Sequence, residues 1–167
     1  MPRTLIAIGL GLLLAAGCAG ERYPLQFEDL PGKRVLKPTD AVDVALAESD
    51  RNRIDTFTAV YEPQHRSVYT GPAWASVFRG DPATRPVFAI QTSALLNDTV
   101  GEGIARRVTY VADGTLSFGG RDYPIHAQGR EVTSQDFTRA IPSAVGKCIL
   151  DAAHQAEKVI AAGTGGH

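Results

Sequence analysis

The two cysteines, Cys18 and Cys148, carry the most reactive side chains of this 167-residue chain. A thiol can act as a nucleophile, form a disulfide, bind a metal or take a covalent modification. His154 follows Cys148 by six residues in a predicted helix, and that spacing puts the two side chains on different sides of it. A direct nucleophile–base pair is therefore excluded, and Cys148 is predicted to be a small buried hydrophobic residue.

Other patterns that carry catalysis or bind metals are missing from the sequence. It has no Gly-x-Ser-x-Gly, His-Glu-x-x-His, Ser-x-x-Lys or Gly-x-x-x-x-Gly-Lys motif. The histidines show no ligand spacing; they are His65, His126, His154 and His167. Neighbouring carboxylates such as Asp40 and Asp43 lie where solvation is expected. The sequence thus predicts a protein that is not an enzyme, with no catalytic residue, no metal site and no cofactor.

The N-terminal residues have the layout of a secretory signal peptide. Arg3 supplies positive charge, an apolar run extends from Leu5 to Ala16, and small residues lead to Cys18. The run is too short to be a typical membrane-spanning helix. The sequence Leu14-Ala15-Ala16-Gly17-Cys18 resembles the lipobox of bacterial lipoprotein precursors, with Ala15 at the place that Leu, Val or Ile usually occupies.

This resemblance implies that residues 1–17 are removed and that Cys18 becomes a lipidated N-terminus, with fatty acyl chains such as palmitate in the membrane. Cys148 then has no disulfide partner. Because no Asp follows Cys18, the resemblance also implies an outer-membrane lipoprotein of the cell envelope that faces the periplasm. Two alternatives stay open, which are an uncleaved signal anchor and a secreted protein cut near Ala16.

Charge and length restrict the class of protein. Lys and Arg number 17 against 18 Asp and Glu, and no basic stripe is present, so nucleic acid is excluded as a partner. Clusters such as Arg51-Asn52-Arg53 and Arg106-Arg107 are expected to be solvated. The chain that follows the signal peptide is long enough for one compact domain and too short for two. We predict a flexible tether over 18–39, one α+β domain over 40–162 and a flexible tail over 163–167.

The domain is predicted to be an antiparallel sheet of about four to six strands, packed by a long C-terminal amphipathic helix. Residues 41–48 fit either a strand or a short helix, and 62–86 are irregular. Strands are predicted over 54–61, 87–93, 108–111 and 115–118, the last one after Asp113-Gly114.

The clearest local signal is a hairpin around Gly119-Gly120, which pairs Phe118 with Arg121 and Leu116 with Tyr123. One face then holds apolar side chains; they are Leu116, Phe118, Tyr123, Ile125 and Ala127. Ser117, Asp122 and His126 lie on the other face, and Pro124 places the second strand towards an edge. Thr133 and Asp136 resemble a helix capping box. Because Pro142 follows within the helical pattern, the helix either kinks there or begins there.

Four aromatic residues in and beside the irregular segment are candidates for a binding surface: Tyr61, Tyr69, Trp74 and Phe78. The alternative is that they cover the core, because a domain with few aromatic residues needs them inside.

Arg22-Tyr23-Pro24-Leu25 is similar to the start of the mature chain in ABC-transport auxiliary lipoproteins. The predicted function is a membrane-anchored, non-enzymatic accessory or assembly subunit of an envelope complex, with an envelope protein as its partner. The alternative is a periplasmic carrier lipoprotein that binds a small molecule or lipid between sheet and helix. A hydrolase of envelope polymers is the third hypothesis.

Overall fold

The computed structural model describes residues 24–58, 65–101 and 105–164. The predictions for the signal peptide, Cys18, Tyr61 and the last three residues of the tail lie outside this range. Among the described residues, no helix combines the length and the apolar character needed to span a membrane.

The main sheet has four strands in the order β2-β5-β6-β7. They are β2 (Ala45–Leu46), β5 (Val87–Val100), β6 (Ala105–Phe118) and β7 (Arg121–Thr133). The three long strands are antiparallel, whereas β2 runs parallel to the start of β5.

The smaller sheet has the order β1-β4-β3. Its strands are β1 (Leu25–Gln26), β3 (Ile54–Thr58) and β4 (His65–Tyr69). β3 and β4 are antiparallel, and β1 runs parallel to β4. Both sheets are therefore mixed. The α+β class is confirmed, and the fold differs from the predicted single antiparallel sheet in having two sheets and in these two short parallel pairings.

Strand β6 continues through Asp113-Gly114, where the sequence suggested a break between two strands. Gly114 pairs with Ile90 on one side and with Ile125 on the other. A Cβ atom at this position would lie 2.5 Å from the Phe88 ring and 2.6 Å from the Ala89 carbonyl oxygen. The glycine is needed because the ring crosses the strand closely, and not because the chain turns there.

The predicted hairpin is confirmed in its turn and in its register. Gly119 and Gly120 have φ angles of 58° and 74°, as a two-residue primed turn requires. Phe118 pairs with Arg121 and Leu116 with Tyr123, and β7 is an edge strand as its proline indicated. The predicted apolar face points into the core.

The C-terminal helix starts later than the pattern suggested. β7 runs to Thr133, a 3-10 turn covers Phe137–Arg139, and α2 spans Ile141–Thr164. The capping box from Thr133 does not form, because the Asp136 side chain accepts a hydrogen bond from the Thr138 amide instead. Pro142 lies in the first turn of α2, where no helical hydrogen bond from its nitrogen is required, so the helix begins there without a kink.

Small residues let α2 approach β7 very closely. A Cβ atom at Gly129 would lie 1.9 Å from the Ala144 carbonyl oxygen and 2.4 Å from the Cys148 nitrogen. Cys148 itself is fully buried, as predicted, and burial raises the pKa of its thiol above the usual range. The thiol therefore stays protonated and packs as an apolar side chain.

Residues 24–39 are packed on the domain, whereas the sequence suggested a flexible tether. Phe27 and Leu30 are each only 5% exposed and belong to the core. The Arg34 guanidinium closes this segment by donating to the carbonyl oxygens of Phe27, Glu28 and Leu30 at 2.7–2.9 Å. It also lies 5.1 Å from the centre of the Phe27 ring. Hydrophobic periodicity in the sequence does not predict a segment that is fixed by such contacts.

The contact at Gly129 gives a first prediction. We expect Gly129→Ala to lower the free energy of unfolding by about 3 kcal/mol, since the added methyl group meets helix backbone that cannot move aside. Gly101→Ala is the matched control, because its Cβ atom would meet no other atom of the described residues and the left-handed φ of 66° is what resists the change. That control should lose about 1 kcal/mol. Urea unfolding measures both, and equal losses would contradict the close approach.

Candidate functional site

The candidate binding aromatics do not form one surface. Trp74 and Phe78 are 0% and 1% exposed, Tyr69 in β4 is half-buried, and Tyr61 lies outside the described residues. Trp74 comes from α1 (Gly71–Val77), and Phe78 follows this short helix. Their rings pack against Phe88, with ring centres 5.1–5.8 Å apart. Trp74 and Phe78 are therefore core side chains, which was the alternative interpretation.

A network of polar side chains is buried beside these rings. Asp55 in β3 is 5% exposed and accepts hydrogen bonds from the hydroxyl groups of Thr70 at 2.5 Å, Tyr110 at 2.6 Å and Ser93. The hydroxyl donors come from β5, from β6 and from the residue before α1. One carboxylate thus joins the two sheets and the first helix.

Arg53 offsets part of the negative charge of this network. Its guanidinium lies 3.3 Å from Asp55 and 3.0 Å from Asp50, which is 3% exposed. Asp50 also accepts a hydrogen bond of 2.9 Å from the Ile90 amide. The prediction that Arg53 is solvated is wrong, because its side chain is only 18% exposed. The spacing of Asp50, Arg53 and Asp55 in the sequence could not show that both carboxylates point into the interior.

The contacts of the buried polar network favour a structural role of these side chains over a catalytic one. Burial and the neighbouring Asp55 carboxylate raise the pKa of Tyr110, so the phenol stays protonated and donates. The Trp74 indole N–H points to the Tyr110 oxygen at 3.4 Å. Tyr110 and Trp74 are fully buried, and both oxygens of Asp55 already accept hydrogen bonds. The arrangement leaves no group of these residues free to meet a substrate.

A second polar group lies on the solvent face of the main sheet. His126 Nδ1 is 2.6 Å from Asp113 Oδ1, and the Thr92 hydroxyl donates to Asp113 Oδ2 at 3.2 Å. The hydrogen bond from His126 holds the pKa of Asp113 below its usual range. Thr92 bonds to the carboxylate and not to the imidazole, so the three residues do not form a nucleophile–base pair. His126 is exposed, as the hairpin register predicted.

A groove between the N-terminal segment and α1 is a candidate contact surface. One cavity of about 210 Å³ is bounded by Phe27, Leu36, Ala73 and other residues. A neighbouring cavity of about 180 Å³ shares Leu36 and Ser76 with it. We call this surface the α1 groove. Its basic residues are Arg34, Lys37 and Arg79, and its acidic residue is Glu28.

The α1 groove suits a protruding side chain better than a whole small molecule. Its larger cavity is below the 300–1,000 Å³ that is typical of small-molecule sites.

The described part of the chain also brings together no group of three or more His, Cys, Asp or Glu side chains that could hold a metal ion.

The chain matches no model of a known protein family, and no curated protein is significantly similar to it in sequence.

The buried network gives a second prediction. Asp55→Asn leaves a single side-chain oxygen to accept the hydrogen bonds from Thr70, Tyr110 and Ser93, and should destabilise the fold by about 3 kcal/mol although Asp50 still pairs with Arg53. Tyr110→Phe removes one donor to Asp55 and the acceptor of the Trp74 indole N–H, at a cost of about 1–3 kcal/mol. Urea unfolding of the purified domain measures both losses.

The matched control is Asp113→Asn on the solvent face, which should change the free energy of unfolding by no more than about 0.5 kcal/mol. If Asp55→Asn proved as mild as this control, Asp55 would not be the group that joins the sheets.

Proposed function

We propose that the protein is a lipid-anchored lipoprotein of the bacterial cell envelope that acts as a non-enzymatic accessory or assembly subunit. The observation that supports this most is the N-terminal sequence, in which a charged start, an apolar run and small residues lead to Cys18. Acyl chains on that residue, each methylene contributing about 0.8 kcal/mol when buried, give stable anchoring.

The start of the folded domain fits an anchored protein that stays near its membrane. Packing begins with β1 at Leu25, and Phe27 is already in the core. Six peptide units separate Cys18 from Pro24, which reach at most about 20 Å when fully extended. With Cys18 in the bilayer surface, the N-terminal side of the domain lies beside the membrane.

The packing between sheet and helix supports the accessory role over the carrier role. Ala112, Ala127 and Leu116 from the sheet are fully buried, as are Cys148 and Ala152 from α2. The helix backbone comes within contact of the sheet at Gly129. Side chains and backbone therefore occupy the space where a carrier would hold its ligand.

We further propose the α1 groove as the contact surface for the partner. Phe27 and Leu36 offer an apolar floor, and Lys37 and Arg79 bring positive charge to its rim. This chemistry suits a segment of an envelope protein that carries an apolar side chain beside acidic residues.

Lipid attachment gives the third prediction. In a bacterial host that processes lipoproteins and is grown with labelled palmitate, the protein should take up the label, and Cys18→Ser should abolish it. Cys148→Ala is the matched control, because it removes the other cysteine of the chain and should keep the label. Membrane fractionation should move Cys18→Ser to the soluble periplasmic fraction. Equal labelling of the wild type and Cys18→Ser would overturn the anchor.

Partner contact gives the fourth prediction. Lys37→Glu places a negative charge on the rim of the α1 groove and should reduce the recovery of a co-purifying envelope protein about tenfold, or about 1.4 kcal/mol. The measurement is quantitative mass spectrometry after mild detergent extraction from the native host.

Lys33→Glu is the control for this experiment, since Lys33 is an exposed lysine of the same segment and does not line the groove. Equal recovery with both variants would exclude the groove as the contact. If the wild type itself retained no stoichiometric partner, the accessory role would fail.

A further inference from the structure

Strand β7 is the outer strand of the main sheet, and within 24–58, 65–101 and 105–164 its one neighbouring strand is β6. In an antiparallel strand, alternate residues point both their N–H and C=O groups to the same side. The backbone groups of His126, Gln128 and Arg130 point away from β6, as their hydrogen bonds to side chains beyond the edge show. Such an edge is a ready template for another strand.

Three side chains of α2 occupy this edge. Lys147 Nζ donates to the Arg130 carbonyl oxygen at 3.0 Å. Asp151 Oδ2 accepts from the Gln128 amide at 3.1 Å. Gln155 Nε2 donates to the His126 carbonyl oxygen at 2.7 Å. Each side chain has the donor or acceptor that its backbone partner needs. We call Lys147, Asp151 and Gln155 the edge cap.

The register of the edge cap follows from the geometry of the two elements. Four helix residues advance about 6 Å along the axis, and two strand residues advance about 6.8 Å. Because α2 runs antiparallel to β7, side chains at every fourth helix position meet backbone groups at every second strand position. The spacing of 147, 151 and 155 thus matches that of 130, 128 and 126.

Two further features strengthen the protection of the edge. Lys147 is held in place by Glu131 at 2.7 Å, and this contact, with a hydrogen bond from Ser143, keeps the pKa of Glu131 below its usual range. Pro124 has the same parity as the capped residues, so the outward N–H that would come next along the edge does not exist. At each of four successive outward residues, one of the two backbone groups that an incoming strand would need is therefore occupied or missing.

We propose that the edge cap keeps β7 from pairing with β7 of a second copy of this chain. The uncapped edges would pair antiparallel around Gln128, with His126 of each copy opposite Arg130 of the other. This register places no two carboxylates opposite each other, and the His126 imidazole that faces the Arg130 guanidinium is paired with Asp113. The cap thus acts against an association that the strand would otherwise favour.

The test is the solution mass of the purified domain from residue 19 onward. The variant K147A/D151A/Q155A should shift from the wild-type mass to twice that mass or more in light scattering after size exclusion. The Gln128 amide should exchange faster with deuterium at low protein concentration and regain protection at high concentration. An intramolecular loss of structure would not restore that protection.

The matched control is H154A/E157A/K158A, which removes three exposed polar side chains from the same helix and should keep the wild-type mass. If the first variant fails to fold by circular dichroism, D151A/Q155A replaces it and leaves Lys147 with Glu131. A folded capless variant that keeps the wild-type mass at every concentration would overturn the proposal. Equal association of the control would overturn it as well.

Discussion

The Asp55 carboxylate is the interaction on which the two-sheet arrangement depends. In the part of the chain that the structure describes, the two sheets share no strand, and β3 of the smaller sheet lies beside β5 of the larger one. Asp55 reaches across that boundary to the hydroxyl groups of Ser93 and Tyr110. Burying a charged group is costly unless it is paired and fully hydrogen-bonded, and Arg53 supplies the pairing. Burial of these polar groups costs free energy, and it also fixes the relative position of the two sheets. Another arrangement of the sheets would leave the polar groups without hydrogen-bond partners.

The position of α1, which lines the candidate contact surface, depends on the Asp55 carboxylate. Thr70, which donates to Asp55, is the residue before α1 and therefore fixes where the helix starts. From there, Trp74 turns inward onto Phe88, and the opposite side of the helix is left to face the N-terminal segment. The helix that lines the α1 groove is thus joined to a buried ionic network. A partner of the kind proposed above would meet a surface formed before binding, without the entropic cost of ordering a loop.

Local signals predicted the parts of the fold that local chemistry determines. Gly119-Gly120 predicted the turn and register of the hairpin, because a two-residue loop leaves few choices. The apolar stripe predicted that Cys148 is buried. Asp55 and Arg53 were missed, because polar residues in a strand pattern look the same whether they meet solvent or each other. Gly114 was misinterpreted as part of a break, because the atoms that exclude a side chain there, in Phe88 and Ala89, belong to another strand. These features depend on contacts between residues far apart in the chain.

Helix α2 covers both one face and one edge of the main sheet, and this restricts which surfaces of the protein can bind another protein. Its apolar stripe closes one face through residues such as Cys148, and its polar stripe, with Asp151 at the centre, closes the edge of β7. Addition of a strand at this edge, which is a common mode of protein recognition, would require the helix side chains to leave first. The edge is therefore a poor site for a partner. A partner of the kind proposed above would then be recognised by side chains that the fold presents directly, and those that line the α1 groove, such as Lys37, meet that requirement.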